Sequence, residues 1–298
     1  MFRARACAGV VVALAVVSTP AYAAAGRSYR GTPADDVINA NGKDNKIRGL
    51  RGADRIRGRA GSDRVYAGPG NDVVYGDSGN DWITAMPGND WVAGGLGNDK
   101  VDGGQGDDTL YGGEGDDNIT ASAGNDVVWG ETGNDNLFGG PGDDRLTGGE
   151  GSDKHIGGPG NDHIDAGEGD DRAIQGGPGD DLLIDGPGND WLIKGDEGDD
   201  VIYLGPGADK VYGEQGNDTI YVLPDDHVDK IRCDDDTQSN GNADRVIFVG
   251  YRDPKDWVDP YGGRCEIVLV TQQAPPGWPY GPVPTPPTQR TAGTDLPR

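Results

Sequence analysis

The chain has 298 residues, 54 of them glycine, a formal net charge of −25 and only 34% hydrophobic residues. That is too little apolar material for an ordinary globular core, and the acidity argues against nucleic acid as a partner. Such a composition describes a solvated, disordered chain unless a strict register imposes order.

Residues 1–23 read as a secretory signal peptide. Arg3 and Arg5 precede an apolar run from Ala6 to Val17, and Ala21-Tyr22-Ala23 forms a small-x-small cleavage site. The run is too short to span a bilayer comfortably, so the expectation is a chain cleaved near Ala23, released outside the cell and free of the membrane. Residues 24–64 hold degenerate, basic repeats, with Lys43, Lys46, Arg48, Arg51, Arg55, Arg57, Arg59 and Arg64 around an in-register Asp36 and Asn45. Three readings stand for them, one being simple decay of the repeat. They form a terminal cap, as solenoid ends commonly do, with cations in place of the bound metal argued below. Alternatively they are a basic patch that touches an acidic cell-wall polymer.

From residue 65 to 221 one nine-residue phrase recurs, written most fully as Gly103-Gly104-Gln105-Gly106-Asp107-Asp108-Thr109-Leu110-Tyr111. Position 8 is almost always aliphatic, as in Val65, Val92, Leu110, Ile164 and Leu192, and should supply one inward side chain per short strand. Glycines allow turns tight enough for carbonyl oxygens to converge. Position 6 adds a carboxylate, at Asp63, Asp72, Asp81, Asp90, Asp99, Asp108, Asp117, Asp126, Asp135, Asp144, Asp153, Asp162 and Asp171. After two single-residue insertions it continues at Asp181, Asp190, Asp200, Asp209 and Asp218. Oxygen donors without thiolate and with almost no imidazole suit Ca2+ and argue against zinc or copper. These eighteen aspartates are the candidate ligands for multiple calcium ions. One aliphatic residue per nine is a thin core against the conformational entropy of nine ordered residues, so metal binding and folding are expected to be one event.

Positions 7 and 9 should face outward. Tyr75, Trp91, Tyr111 and Trp129 then share one face in successive coils, while Tyr66, Trp82 and Phe138 share the other. The ladder either stacks on polysaccharide or a partner surface, or simply shields the sheet. His155 occupies an inward position, where a local shift bringing in Ile156 is the expectation. Bulges are expected with Ile174 inward and at Lys194.

The phrase stops after Ile220. Residues 222–271, with Cys233, Cys265 and two strand-like runs, read as a C-terminal cap closed by a possible disulfide, which would stabilise by about 3–4 kcal/mol. An acidic loop at Asp234-Asp235-Asp236 reads as a solvated charge run. Residues 272–298 are Pro-rich and read as an extended or disordered tail.

The nonapeptide resembles the repeats-in-toxin (RTX), or hemolysin-type, calcium-binding repeat family, over about residues 50–221. The resemblance implies an all-β fold, a parallel β-roll or β-solenoid in which two nonapeptides make one turn, here with terminal caps. It also implies calcium between turn loops, held by position-6 carboxylates and loop carbonyls. An N-terminal signal departs from the C-terminal secretion signal usual in the family. The chain has no H-E-x-x-H and no G-x-S-x-G, which excludes a metalloprotease or lipase, and no catalytic residue is assigned. The expectation is a secreted, non-enzymatic calcium-binding module that folds on calcium and acts as an extracellular structural or interaction element. A calcium-dependent polysaccharide-binding protein is the alternative, and a polysaccharide lyase or epimerase a more distant one. Its partners would be calcium ions and an extracellular polysaccharide or cell-surface protein.

Overall fold

A unit with one aliphatic residue and several glycines can form only a short strand and a tight turn, and two such units close a coil of eighteen residues. The computed structural model describes residues 28–233, 244–252, 255–258, 265–271 and 273–282. The expected signal peptide, the Asp234-Asp235-Asp236 loop and the chain beyond residue 282 lie outside the described residues. Alternate strands stack into two parallel sheets of 13 strands each. The first sheet runs from Ser28–Arg30 to Trp257–Val258, and the second from Val37–Asn39 to Cys265–Thr271. At about 4.8 Å per coil the stack is about 60 Å long.

Register is strict because the period is. In the second sheet Leu110 pairs with Val92 on one side and Val128 on the other, each eighteen residues away. Position 8 therefore forms two facing columns between the sheets. Ile47, Val65, Ile83, Val101 and Ile119 stack in one, and Ile56, Val74, Val92, Leu110 and Val128 in the other, all essentially without exposure. The interior is one side chain deep, which makes this an all-β solenoid; no helix occurs among the described residues.

Where the period slips, the structure shows which residue is carried inward. Ile174 pairs with His155 and is buried, as the insertion after Asp171 requires. At the second insertion Ile193, not Leu192, pairs with Ile174 and enters the core. The extra residue is thus taken up before Ile193, between Asp190 and the strand Ile193–Glu197, rather than at Lys194. Burying Ile193 leaves Trp191 75% exposed.

His155 does not yield to Ile156. It stays in register between Leu137 and Ile174, fully buried, and neither ring nitrogen has a hydrogen-bond partner. Burial pushes its pKa down to about 3, so the ring is neutral. Gly148 makes room for it, since a methyl group placed there would lie 2.6 Å from His155 Nε2.

The coils also continue past Ile220. Lys230–Arg232 adds to the first sheet, and Asp244–Val249 and Cys265–Thr271 add to the second, with longer loops between them. Cys233 and Cys265 form a disulfide that ties these last coils together. Of the Pro-rich segment, residues 273–282 fold back on the second sheet. Trp278 and Tyr280 approach Tyr203, and the Tyr203 hydroxyl donates to the Pro276 carbonyl at 3.1 Å.

His155→Leu should stabilise the calcium-loaded protein by about 1–3 kcal/mol, because it replaces two unpartnered buried nitrogens with the aliphatic group the column otherwise carries. Urea unfolding in excess calcium measures this; a lower unfolding midpoint for the variant would contradict the packing described.

Candidate metal centres

The turns, not the strands, carry the chemistry. Each position-6 Asp is buried, and its Oδ1 accepts the backbone N–H of the position-6 Asp one coil earlier. Asp90 N–H donates to Asp108 Oδ1 at 2.8 Å, and Asp108 N–H to Asp126 Oδ1 at 2.7 Å. Repetition gives two ranks, one along each edge of the solenoid. One passes through Asp72, Asp90, Asp108, Asp126, Asp144, Asp162, Asp181, Asp200 and Asp218. The other passes through Asp63, Asp81, Asp99, Asp117, Asp135, Asp153, Asp171, Asp190 and Asp209.

All eighteen candidate aspartates fall into these ranks, which reach back one nine-residue step to the in-register Asp54 and continue past Asp218, where the spacing ends. Asp54 N–H donates to Asp72 Oδ1 at the near end, and Asp218 N–H to Asp244 Oδ1 at the far end. On the other edge Asp209 N–H donates to Asp229 Oδ1, and Asp229 N–H to Asp256 Oδ1. A sequence signal for the three late members exists. Asp229-Lys230-Ile231, Asp244-Arg245-Val246 and Asp256-Trp257-Val258 keep the Asp-x-aliphatic core of the repeat, although longer loops destroy its spacing.

The second carboxylate oxygen is the one the protein leaves unbonded. Oδ2 of every one of the eighteen is buried with no hydrogen-bond partner. In twelve of them it points into the space left by a position-1 glycine. A methyl group on Gly103 would lie 2.4 Å from Asp108 Oδ2 and 2.8 Å from the Ala121 carbonyl oxygen of the next coil. On Gly112 it would lie 2.3 Å from Asp117 Oδ2 and 2.8 Å from the Gly130 carbonyl. Anionic and carbonyl oxygens thus converge on a cradle that only glycine leaves open. Ala67, Ala85, Ala121 and Ala166 put a methyl group at the same place in four repeats and leave less room there.

The degenerate Asn45 turn is closed by its own side chain. Its side-chain NH2 donates to Asp63 Oδ1 at 2.9 Å, to the Asn41 carbonyl at 3.1 Å and to the Lys43 carbonyl. The amide N–H2 thus bridges two carbonyls of its own turn to the carboxylate of the next coil. Arg172, on the surface, reaches over the turns as a cation. Its guanidinium donates to the Ser152 carbonyl at 3.0 Å and to the Asp135 carbonyl at 3.3 Å.

Burial sets the electrostatics. Loss of solvent, opposed by the Asp N–H bond and reinforced by neighbouring carboxylates, raises Asp72, Asp90 and Asp108 to about 7. Asp117 and Asp190 reach about 8 by the same causes. Asp135, Asp153 and Asp171 reach only about 6, with Arg172 among the groups that hold them down. Hard carboxylate and carbonyl oxygens at high density, with Arg172 as a compensating charge near only three of the carboxylates named here, fit Ca2+.

The sequence matches the family model described as "RTX calcium-binding nonapeptide repeat (4 copies)" in overlapping stretches, from 30–65 and 49–83 through to 173–193 and 192–220. The chain belongs to this family: it is a calcium-binding β-roll protein whose nonapeptide repeats bind multiple Ca2+ ions. A search of curated proteins finds no match.

The raised values carry a sign. A carboxyl that holds its proton more tightly when folded stabilises the fold below the ordinary value of 3.8, and that contribution disappears as pH rises through about 6 to 8. Without calcium, order should therefore be greatest in acid. With calcium, protons compete for the same oxygens. A far-ultraviolet circular dichroism titration should need more calcium at pH 5.5 than at pH 8, while the chelated chain should gain β signal on acidification. Calcium midpoints that do not move with pH would contradict these assignments.

Proposed function

We propose that this is a secreted protein that folds on meeting extracellular calcium and then serves as a rigid structural or interaction module. The position-6 aspartates from Asp63 to Asp218 are its ligands, each working with turn carbonyls, and no residue is assigned a catalytic role. One observation carries the reading: two ranks of buried carboxylates, each with an unpartnered Oδ2, which in twelve of the eighteen faces the space left by a position-1 glycine. The signal-peptide pattern at residues 1–23 supports export. In this reading a chain with low calcium inside the cell stays unfolded, and order spreads coil by coil outside, because each ion joins neighbouring turns.

Calcium added to the chelated chain at neutral pH should convert a disordered circular dichroism spectrum into a β spectrum, at about 10⁻⁴–10⁻³ M as for other extracellular calcium modules. EDTA should reverse it. A β spectrum that persists in EDTA at pH 8 would overturn the proposal.

A polysaccharide-binding role is the second reading, favoured by the outer face of the second sheet. Tyr75 and Trp91 lie 4.9 Å apart between ring centroids, Trp91 and Tyr111 5.4 Å, and Tyr111 and Trp129 4.6 Å. Position 9 of the intervening coil is Ala93, which lets the position-7 Trp91 complete the row. On the first sheet the aromatic rings are instead covered by cations, as Trp82 is by Arg64 and Lys100 at 5.2 and 4.9 Å. The paired substitution Trp91→Ala and Trp129→Ala should abolish retention on insoluble glycans while leaving calcium-induced folding intact. Unchanged retention would remove this reading.

A further inference from the structure

One repeat breaks the glycine rule with a carboxylate. Asp185 stands at position 1 of the turn that carries Asp190, where other repeats have glycine, alanine or, next along the same edge, Leu204. Its side chain thus lies where position-6 oxygens reach elsewhere. Among the described residues, Asp185, Asp190 and Asp209 form a group of three buried carboxylates with one oxygen each lying mutually within 4.8 Å. The Oδ2 atoms of all three are buried without a hydrogen-bond partner.

The C-terminal segment closes this group. Asp185 Oδ1 accepts the Gly205 N–H at 2.6 Å and the Tyr280 hydroxyl at 2.8 Å. The Tyr280 oxygen in turn accepts the Gly186 N–H at 3.2 Å. Tyr280 is held by its neighbours, with Trp278 5.3 Å from it edge-on and 6.0 Å from Tyr203. Both lone pairs of Oδ1 are thereby used, and Oδ2 alone is left to face Asp190 and Asp209. Three like charges packed this way, with hydrogen-bond donors on one side and none on the other, describe a divalent-cation site.

We propose that Asp185, Asp190 and Asp209 bind a calcium ion with a ligand set unlike that of the ordinary turns, and that Tyr280 latches it. The proposal rests on calcium binding by the repeats and adds a consequence. Tyr280 positions Asp185 without touching the ion, so occupancy of the site and seating of residues 273–282 stabilise one another by the same factor. The segment read from sequence as a free tail becomes the part of the protein that reports the ion.

Hydrogen exchange on the full-length mature protein, titrated with calcium alone, tests this. Protection of residues 91–150 reports the roll, and protection of residues 273–282 reports the latch. In the wild type both should appear with calcium. Asp185→Asn keeps the shape and removes the charge. It should raise the calcium concentration that protects 273–282 by about tenfold, and Tyr280→Phe should do so by at least as much, while 91–150 keeps its midpoint. Asp185→Gly, which restores the ordinary repeat, should leave the roll intact and 273–282 unprotected at every calcium concentration. The proposal fails if 273–282 is equally protected in EDTA, if the variants leave its midpoint unchanged, or if both midpoints move together. A roll protected without calcium would instead overturn the reading on which the proposal rests.

Discussion

Aspartates stacked one coil apart, buried and bonded to each other's backbones, are the constraint that everything else in this molecule serves. Each neighbouring pair of ionised groups at about 4.8 Å repels by roughly 3–4 kcal/mol at an effective dielectric constant of 20. Repeated along two edges, that repulsion exceeds what a single-file core can offset. In the proposed reading, calcium between the turns converts it into attraction, and the same ranks then become what holds coil to coil.

The remaining sequence features follow from that arrangement. Position 1 is small because the carboxylate and the next coil's carbonyl need the space, as at Gly103 and Gly112. Position 4 is glycine for a backbone reason, since Gly106 has a φ of +118° and a methyl group there would meet the Gly88 carbonyl at 2.1 Å. Position 2 also turns left-handed yet accepts Asp77, Met86, Ser122 and Glu131, whose side chains are not fully buried. Position 8 needs only to fill a column, so valine, leucine and isoleucine interchange and even His155 is carried.

Much of this was legible beforehand because a coil built from two copies of one short phrase writes its contacts into its spacing. Asp108 and Asp126 are eighteen letters apart and meet for that reason alone. What the spacing could not reveal lies where it breaks. Which of Leu192 and Ile193 turns inward depends on how a one-residue insertion is absorbed against Ile174. Asp229, Asp244 and Asp256 join the ranks across longer loops, so period counting misses them. His155 keeps its place because register with Leu137 and Ile174 outweighs the cost of a dry imidazole. The meeting of Asp185 with Tyr280, ninety-five residues on, has no local signature at all.

Small-angle X-ray scattering of the chain at neutral pH, with calcium and then with EDTA, tests the central claim most directly. If divalent ions hold the carboxylate ranks together, the radius of gyration should fall from about 60 Å in EDTA to about 20 Å in calcium, with the profile of a short rod. The same rod in both buffers would show that the coils stand without the ions, and would contradict the account.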